Sequence, residues 1–262
     1  MDSLLNYFIF SLYMFSAIAI WRLMNGHNKS KIHQIIVWVS WLLAIVCHAY
    51  SLMPIFDNDY SINLSINYAL IIVAFIISIT LYISSIFGNT QFLGIIILPI
   101  LSSIFLFDFT NAPVSIPLNN FLFIHVIISL ISYSILCLSA AQSVILKIQE
   151  KKLQSNQPIG LITSLPSLDA MDNLLFKILA LGVIFLSASL LSGFIFLEDI
   201  FAQHLAHKTI LSILAWIVFL FLIFARKIYG WRGNNAANVT LIGFFMLFLS
   251  YFGTKAVLEV IL

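Results

Sequence analysis

Charge is what this chain has least of. Lys and Arg number 12 and Asp and Glu 10 in 262 residues, a charged fraction of 8%. A water-soluble domain of this length needs roughly a quarter of its residues charged to cover itself. A soluble fold is therefore excluded, and the 62% hydrophobic content and mean hydropathy of +1.09 point to an integral membrane protein. The net charge of +2 is too small for a nucleic-acid binder, and no basic stripe interleaved with aromatics is present. Cysteine is nearly absent: Cys47 and Cys137 both sit inside apolar runs, which argues for ordinary packing and against a disulfide framework. Also missing are a Ser-His-Asp set, an HExxH, a phosphate-cradling glycine loop and paired carboxylates on one helix face. A conventional enzyme is thus disfavoured, and the lack of a buried Asp and Glu chain disfavours an ion pump.

What is present is apolar run after apolar run. A hydrocarbon core about 30 Å thick is crossed by about 20 helical residues. Eight runs fit, near 3–23, 33–53, 63–86, 90–107, 119–147, 173–197, 206–226 and 236–258. The predicted fold class is all-α, a polytopic bundle of eight transmembrane helices forming a single membrane domain over 1–262. The first run follows Asp2, has no leading Lys or Arg and closes with Trp21-Arg22, so it is expected to stay as a span and not act as a cleaved signal. The fourth is the weakest, being short and containing Pro99, and is expected to be kinked or partly re-entrant.

Alternate loops differ sharply in basic residues. Ten lie on one side, among them Arg22, Lys147, Lys151, Arg226 and Arg232, and only Lys208 and Lys255 on the other. This predicts that the basic side is cytoplasmic and both termini are outside. Most acidic residues, such as Asp57, Asp108 and Glu198, fall on the outer side. The longest inner loop, Ile148 to Asp172, carries Gln157-Pro158, Pro166 and a helix start at Ser167-Leu168-Asp169, predicting a short surface helix.

Six histidines remain to be explained. His27 and His33 flank the first basic loop, where solvation accounts for them. His48 lies in VCHAYSLM about 7 to 8 Å below the outer end of its run, and His125 about 9 Å below the outer end of the fifth. Two imidazoles at one depth could share a metal or a haem iron. Ser129, Ser132 and Ser139 follow His125 on one helix face with Tyr133 close by, and Ala44 and Ser51 flank His48; small and hydroxyl residues mark faces that pack on protein. Ser189 and Gly193 form another such pair. His204 and His207 fall at the outer boundary before the seventh run, where either ligation or plain solvation is possible on spacing alone. Spacing does not separate haem from a bare metal ion, a proton path or a structural hydrogen bond.

The segments HVIISLISYSILCLSAAQSVIL (125–146), MDNLLFKILALGVIFLSASLLSG (171–193), HKTILSILAWIVFLFLIFARKIYGWRG (207–233) and LSYFGTKAV (249–257) resemble the cytochrome c assembly membrane proteins of the CcsA, CcmC and HemX type. The CHA at 47–49 and the YGWRG at 229–233 are most similar to the YpjD-like branch of bacterial inner-membrane proteins. The resemblance implies a haem-handling protein of the inner membrane, with a b-type haem (haem b) held near the outer face by His48 and His125 and with His207 a further candidate. One departure bears on activity: Leu197 to Thr209, LEDIFAQHLAHKT, has no tryptophan where haem-delivering relatives carry a tryptophan-rich motif, and no histidine follows Tyr251-Phe252-Gly253. This argues against cytochrome c synthase activity. The competing reading is a non-catalytic membrane subunit or small-solute transporter without haem. The expected partners are the lipid bilayer, haem and other membrane proteins, and no nucleic acid.

Overall fold

A computed structural model describes residues 3–25, 31–55, 61–63, 66–88, 90–107, 115–117, 120–155, 165–196 and 203–253. The chain is helical as expected: α1 (Ser3–Asn25), α2 (Lys31–Ser51), α3 (Ile66–Phe87), α4 (Gly94–Ser103), α5 (Asn120–Gln154), α6 (Leu168–Phe196), α7 (Gln203–Tyr229) and α8 (Gly233–Phe248), the last running into a π turn at Leu249–Gly253. Among the described residues, six of these, α1 to α3 and α5 to α7, are long and apolar enough to cross a membrane. α4 is ten residues with Pro99 inside it and a 3-10 turn at either end, because a ring without an N–H cannot sustain a longer regular helix there. A short antiparallel pair, β1 (Ser61–Asn63) with β2 (Ser115–Pro117), ties the approach to α3 to the approach to α5 in the register Ile62 to Ile116.

Among the described residues no separate surface helix follows α5, and positions 156–164 of the expected stretch lie outside them. α5 continues to Gln154 and α6 itself begins at Leu168, where Ser167 Oγ accepts the Ala170 N–H at 3.3 Å and caps it. Asp172 and Asn173, in the first turns of α6, are bonded by Arg226 at the end of α7.

The helices are apolar outside and partly polar inside, the inverse of a soluble protein. On α2 the exposed face is Ile35, Val39, Leu42, Leu43 and Val46, whereas Ser40, Trp41, Ala44, His48 and Ser51 are buried. Trp41 anchors the first half of the bundle, donating from Nε1 to Ser78 Oγ of α3 at 3.1 Å. α5 is the spine of the second half, packed along α6 and against α8 and α3. Gly182 makes the α5–α6 approach possible, since a Cβ there would lie 2.6 Å from Leu136 Cδ2.

At the basic end one acid organises three helices. Asp172 is 7% exposed at its side chain; its Oδ2 lies 3.3 Å from Arg226 Nη2, and its Oδ1 accepts the Gly233 N–H at 2.9 Å. Arg226 also donates to Asn173 Oδ1 at 2.6 Å and lies 3.8 Å from the centre of the Phe176 ring. Gly233 holds φ +61, a conformation that penalises any Cβ. The GWRG turn therefore joins the end of α7 and the start of α8 to the start of α6.

Candidate functional site

The two intramembrane histidines occupy different chemical settings. His48 is 0% exposed. Its Nε2 lies 3.1 Å from the Ile71 carbonyl, which can only accept, so Nε2 carries the proton and Nδ1 takes the Tyr13 hydroxyl proton at 2.9 Å. Phe75 and Phe105 wall the ring, their centroids 5.2 and 4.8 Å from its own. Both nitrogens of His48 are thus satisfied from α1 and α3.

His125, on α5, opens onto a cleft. Its Nδ1 is 2.8 Å from Ser192 Oγ on α6, and Ser192 gives its own proton to the Ser189 carbonyl at 2.8 Å. With the Ser192 proton on the Ser189 carbonyl, Ser192 accepts from Nδ1–H, and the Nε2 lone pair is the one available for a ligand. Gly193 permits this placement, because a Cβ there would lie 3.2 Å from His125 Cε1. Ser129 and Ser189 bond each other at 2.6 Å just beneath. The cleft has a volume of about 70 Å³ and is lined by His125, Ser129, Tyr133, Ser189, Lys208 and Ser212, with apolar walls from Leu186, Leu190 and Phe194.

Behind the cleft residues Ser212 and Tyr133 stands the π turn. Ser250 Oγ donates to the Lys208 carbonyl at 2.8 Å and lies 2.7 Å from Ser212 Oγ, while Tyr251 packs on Tyr133 at 5.4 Å between centroids. Lys208 Nζ lies 4.7 Å from the centre of the Tyr251 ring. A π turn inserts one extra residue per turn and re-aims side chains, so that Ser250 reaches Ser212 and Tyr251 reaches Tyr133.

The serines expected on the His125 face of α5 do point at protein: Ser129 meets α6, Ser132 Oγ donates to the Gly182 carbonyl at 3.3 Å, and Ser139 is fully buried. Ala44 and Ser51 beside His48 are buried too. The rings of His48 and His125 share no hydrogen-bond or ring-stacking partner among the described residues; one lies among Tyr13, Ile71, Phe75 and Phe105, the other beside Ser192 and Gly193. His204 and His207 fall in the first turns of α7, and their side chains lie outside the described residues, as does His27. His33 is exposed. Lys208, Ser192 and Ser250 were not singled out from the sequence. The LSYFG stretch does not announce a π turn, and only the fold brings Ser250 to Ser212.

A haem site needs a neutral imidazole with a free lone pair whose other nitrogen is fixed by a hydrogen bond. His125 with Ser192 meets that requirement, and Lys208 adds a cation suited to a carboxylate. The cleft is well below the 300–1,000 Å³ of pockets that enclose a ligand. His48 lacks a free nitrogen unless Tyr13 withdraws.

A family model described as cytochrome C assembly protein matches residues 35–262. The inner membrane protein YpjD of Escherichia coli strain K12 is 27% identical over 239 residues, covering 85% of this chain and 86% of its own length. An uncharacterized 28.8 kDa protein of Azospirillum brasilense is 31% identical over 141 residues, about half of each chain (53% and 52%). The cytochrome c biogenesis protein CcsA of Chlamydomonas reinhardtii is 27% identical over 143 residues, 54% of this chain and 39% of its own. No solved structure matches significantly.

Proposed function

Because the chain belongs to the cytochrome c assembly protein family, we propose that it handles haem in the inner membrane, binding a b-type haem at the His125 cleft. The observation that supports the reading is the His125–Ser192–Ser189 chain, which engages Nδ1 of a histidine that lines the cleft and leaves Nε2 for a ligand. A similar protein bears the name cytochrome c biogenesis protein, which agrees with haem as the ligand.

Each cleft residue then has a task. Ser192 orients the ring and keeps its lone pair available, and Gly193 gives the ring room against α6. Lys208 supplies a cation at the cleft wall for an anionic side group. Haem, when bound, would supply an iron centre for electron transfer or would itself be the cargo. His207 stands one residue before Lys208 on α7 and would be a second residue to hold the haem. His48 is better supported as a structural hydrogen-bonding residue than as a ligand, since its donor and acceptor are both engaged. The reading includes eight spans with the basic end in the cytoplasm, which sets His125 near the outer surface.

The test is the absorption spectrum of protein purified from haem-replete cells. A Soret band, a pyridine haemochrome of b type and loss of both in His125→Ala are expected. Colourless wild-type protein would overturn the proposal.

A further inference from the structure

Below the His125 cleft, α5 carries a second polar stripe that the proposed haem site does not use. Ser139, Gln142, Ser143 and Gln149 are 0, 0, 0 and 3% exposed, and they face α6 and α8. The Gln142 amide donates to the Met171 carbonyl at 2.9 Å, and the Gln149 amide to the Pro166 carbonyl at 2.8 Å. Lys147 Nζ donates to Asn238 Oδ1 on α8. These bonds use the donors and leave acceptors over. Ser139 Oγ, Gln142 Oε1, Gln149 Oε1 and Glu150 Oε2 are buried with no hydrogen-bond partner among the described residues.

Four such atoms on one stripe, spread over about 16 Å of helix, call for a common explanation. Three are pure acceptors, so the missing partner must bring an O–H or N–H, and it must be small enough to enter a packed seam. The stripe's lower end meets a cavity of about 440 Å³ lined by Lys147, Glu150, Lys151, Gln154 and Asn234, which opens at the basic end of the bundle. Its upper end stops at Leu136, 0% exposed and pressed against Gly182. Above that contact, Ser132 and Ser129 are already bonded to α6.

We propose that the α5–α6–α8 seam from Glu150 to Ser139 is an inlet for water, open at the basic end and closed beneath Leu136, so that the membrane holds two polar vestibules separated by the Leu136–Gly182 contact. Water satisfies the leftover acceptors one after another, as buried water does in polar seams. The proposal is independent of haem binding.

Met171 reports on the inlet, being 0% exposed with its Sδ 3.4 Å from Gln142 Nε2. Millisecond hydroxyl-radical footprinting of the wild-type protein in lipid nanodiscs, read by mass spectrometry, is the experiment. Radicals made from inlet water would oxidise Met171 faster than Met14 and Met246, which are partly exposed to the apolar bilayer. Labelling of Met171 no faster than those two would overturn the inlet. In Gln142→Leu protein that keeps its thermal transition, Met171 labelling should fall by ~5-fold or more as water loses its anchor; unchanged labelling would overturn it equally.

Discussion

His48→Ala and His125→Ala should separate stability from haem binding, because the same residue type does different work at the two sites. His48 is wholly buried, and its removal leaves the Tyr13 hydroxyl without an acceptor and opens a ring-sized hole between Phe75 and Phe105. An unsatisfied buried donor costs about 1–3 kcal/mol in general, and interhelical bonds in membranes average nearer ~0.6 kcal/mol. The cavity adds about 1–3 kcal/mol, below the usual large-to-alanine range because the imidazole is itself polar. The Ile71 carbonyl adds little, since it sits within α3. The sum, about 2–4 kcal/mol, corresponds to a fall in melting temperature of about 5–15 °C for a chain of this length. Tyr13→Phe removes only the hydroxyl and should cost about 1 kcal/mol. His125 is partly exposed and bonds one serine, so His125→Ala should cost under ~1 kcal/mol. Thermal unfolding in detergent, followed by tryptophan fluorescence, gives stability, and Soret absorbance per folded molecule gives haem occupancy. His48→Ala should melt early yet keep its haem at low temperature, and His125→Ala should melt near wild type and lose it. If His48→Ala melted like wild type, or lost haem while fully folded, the assignment of His48 to structure would be refuted.

Gly193→Val should push the imidazole off α6 and abolish the Soret band while the far-ultraviolet helix signal stays unchanged, because even a Cβ comes within 3.2 Å of the ring. Asp172→Ala should lower stability by about 2–3 kcal/mol, at the lower end for a breached ion pair because Arg226 is 29% exposed; a melting curve checks it. Gly233→Ala should cost about 1–2 kcal/mol from its positive φ, with Glu150 Oε2 already 3.1 Å from the new methyl; the same melt measures it. A reporter active only in the cytoplasm should function when inserted in the 156–164 segment and stay silent at the N-terminus, and the reverse pattern would invert the bundle.

Composition and hydropathy by themselves determined that this is a helical membrane protein, because a bilayer leaves a chain with so few charges and so many apolar runs no other way to satisfy its backbone. Periodicity determined which faces of α2 and α5 look inward: Ala44, His48 and Ser51 share one side, Ser129, Ser132 and Ser139 another, and all are buried or bonded to a neighbour. The GWRG stretch was legible as part of a family resemblance, but its partner Asp172 was not, since nothing in the sequence says which helix an intramembrane acid will face. Counting residues from the ends of the apolar runs put His48 and His125 at one expected level. Level is not proximity. Which helix lies beside which depends on long-range packing, and that packing gave His48 to Tyr13 and Ile71 and gave His125 to Ser192. The tautomer of each ring, the π turn that carries Ser250 to Ser212, and the unpaired acceptors along α5 are relations between helices, so only the tertiary structure could decide them.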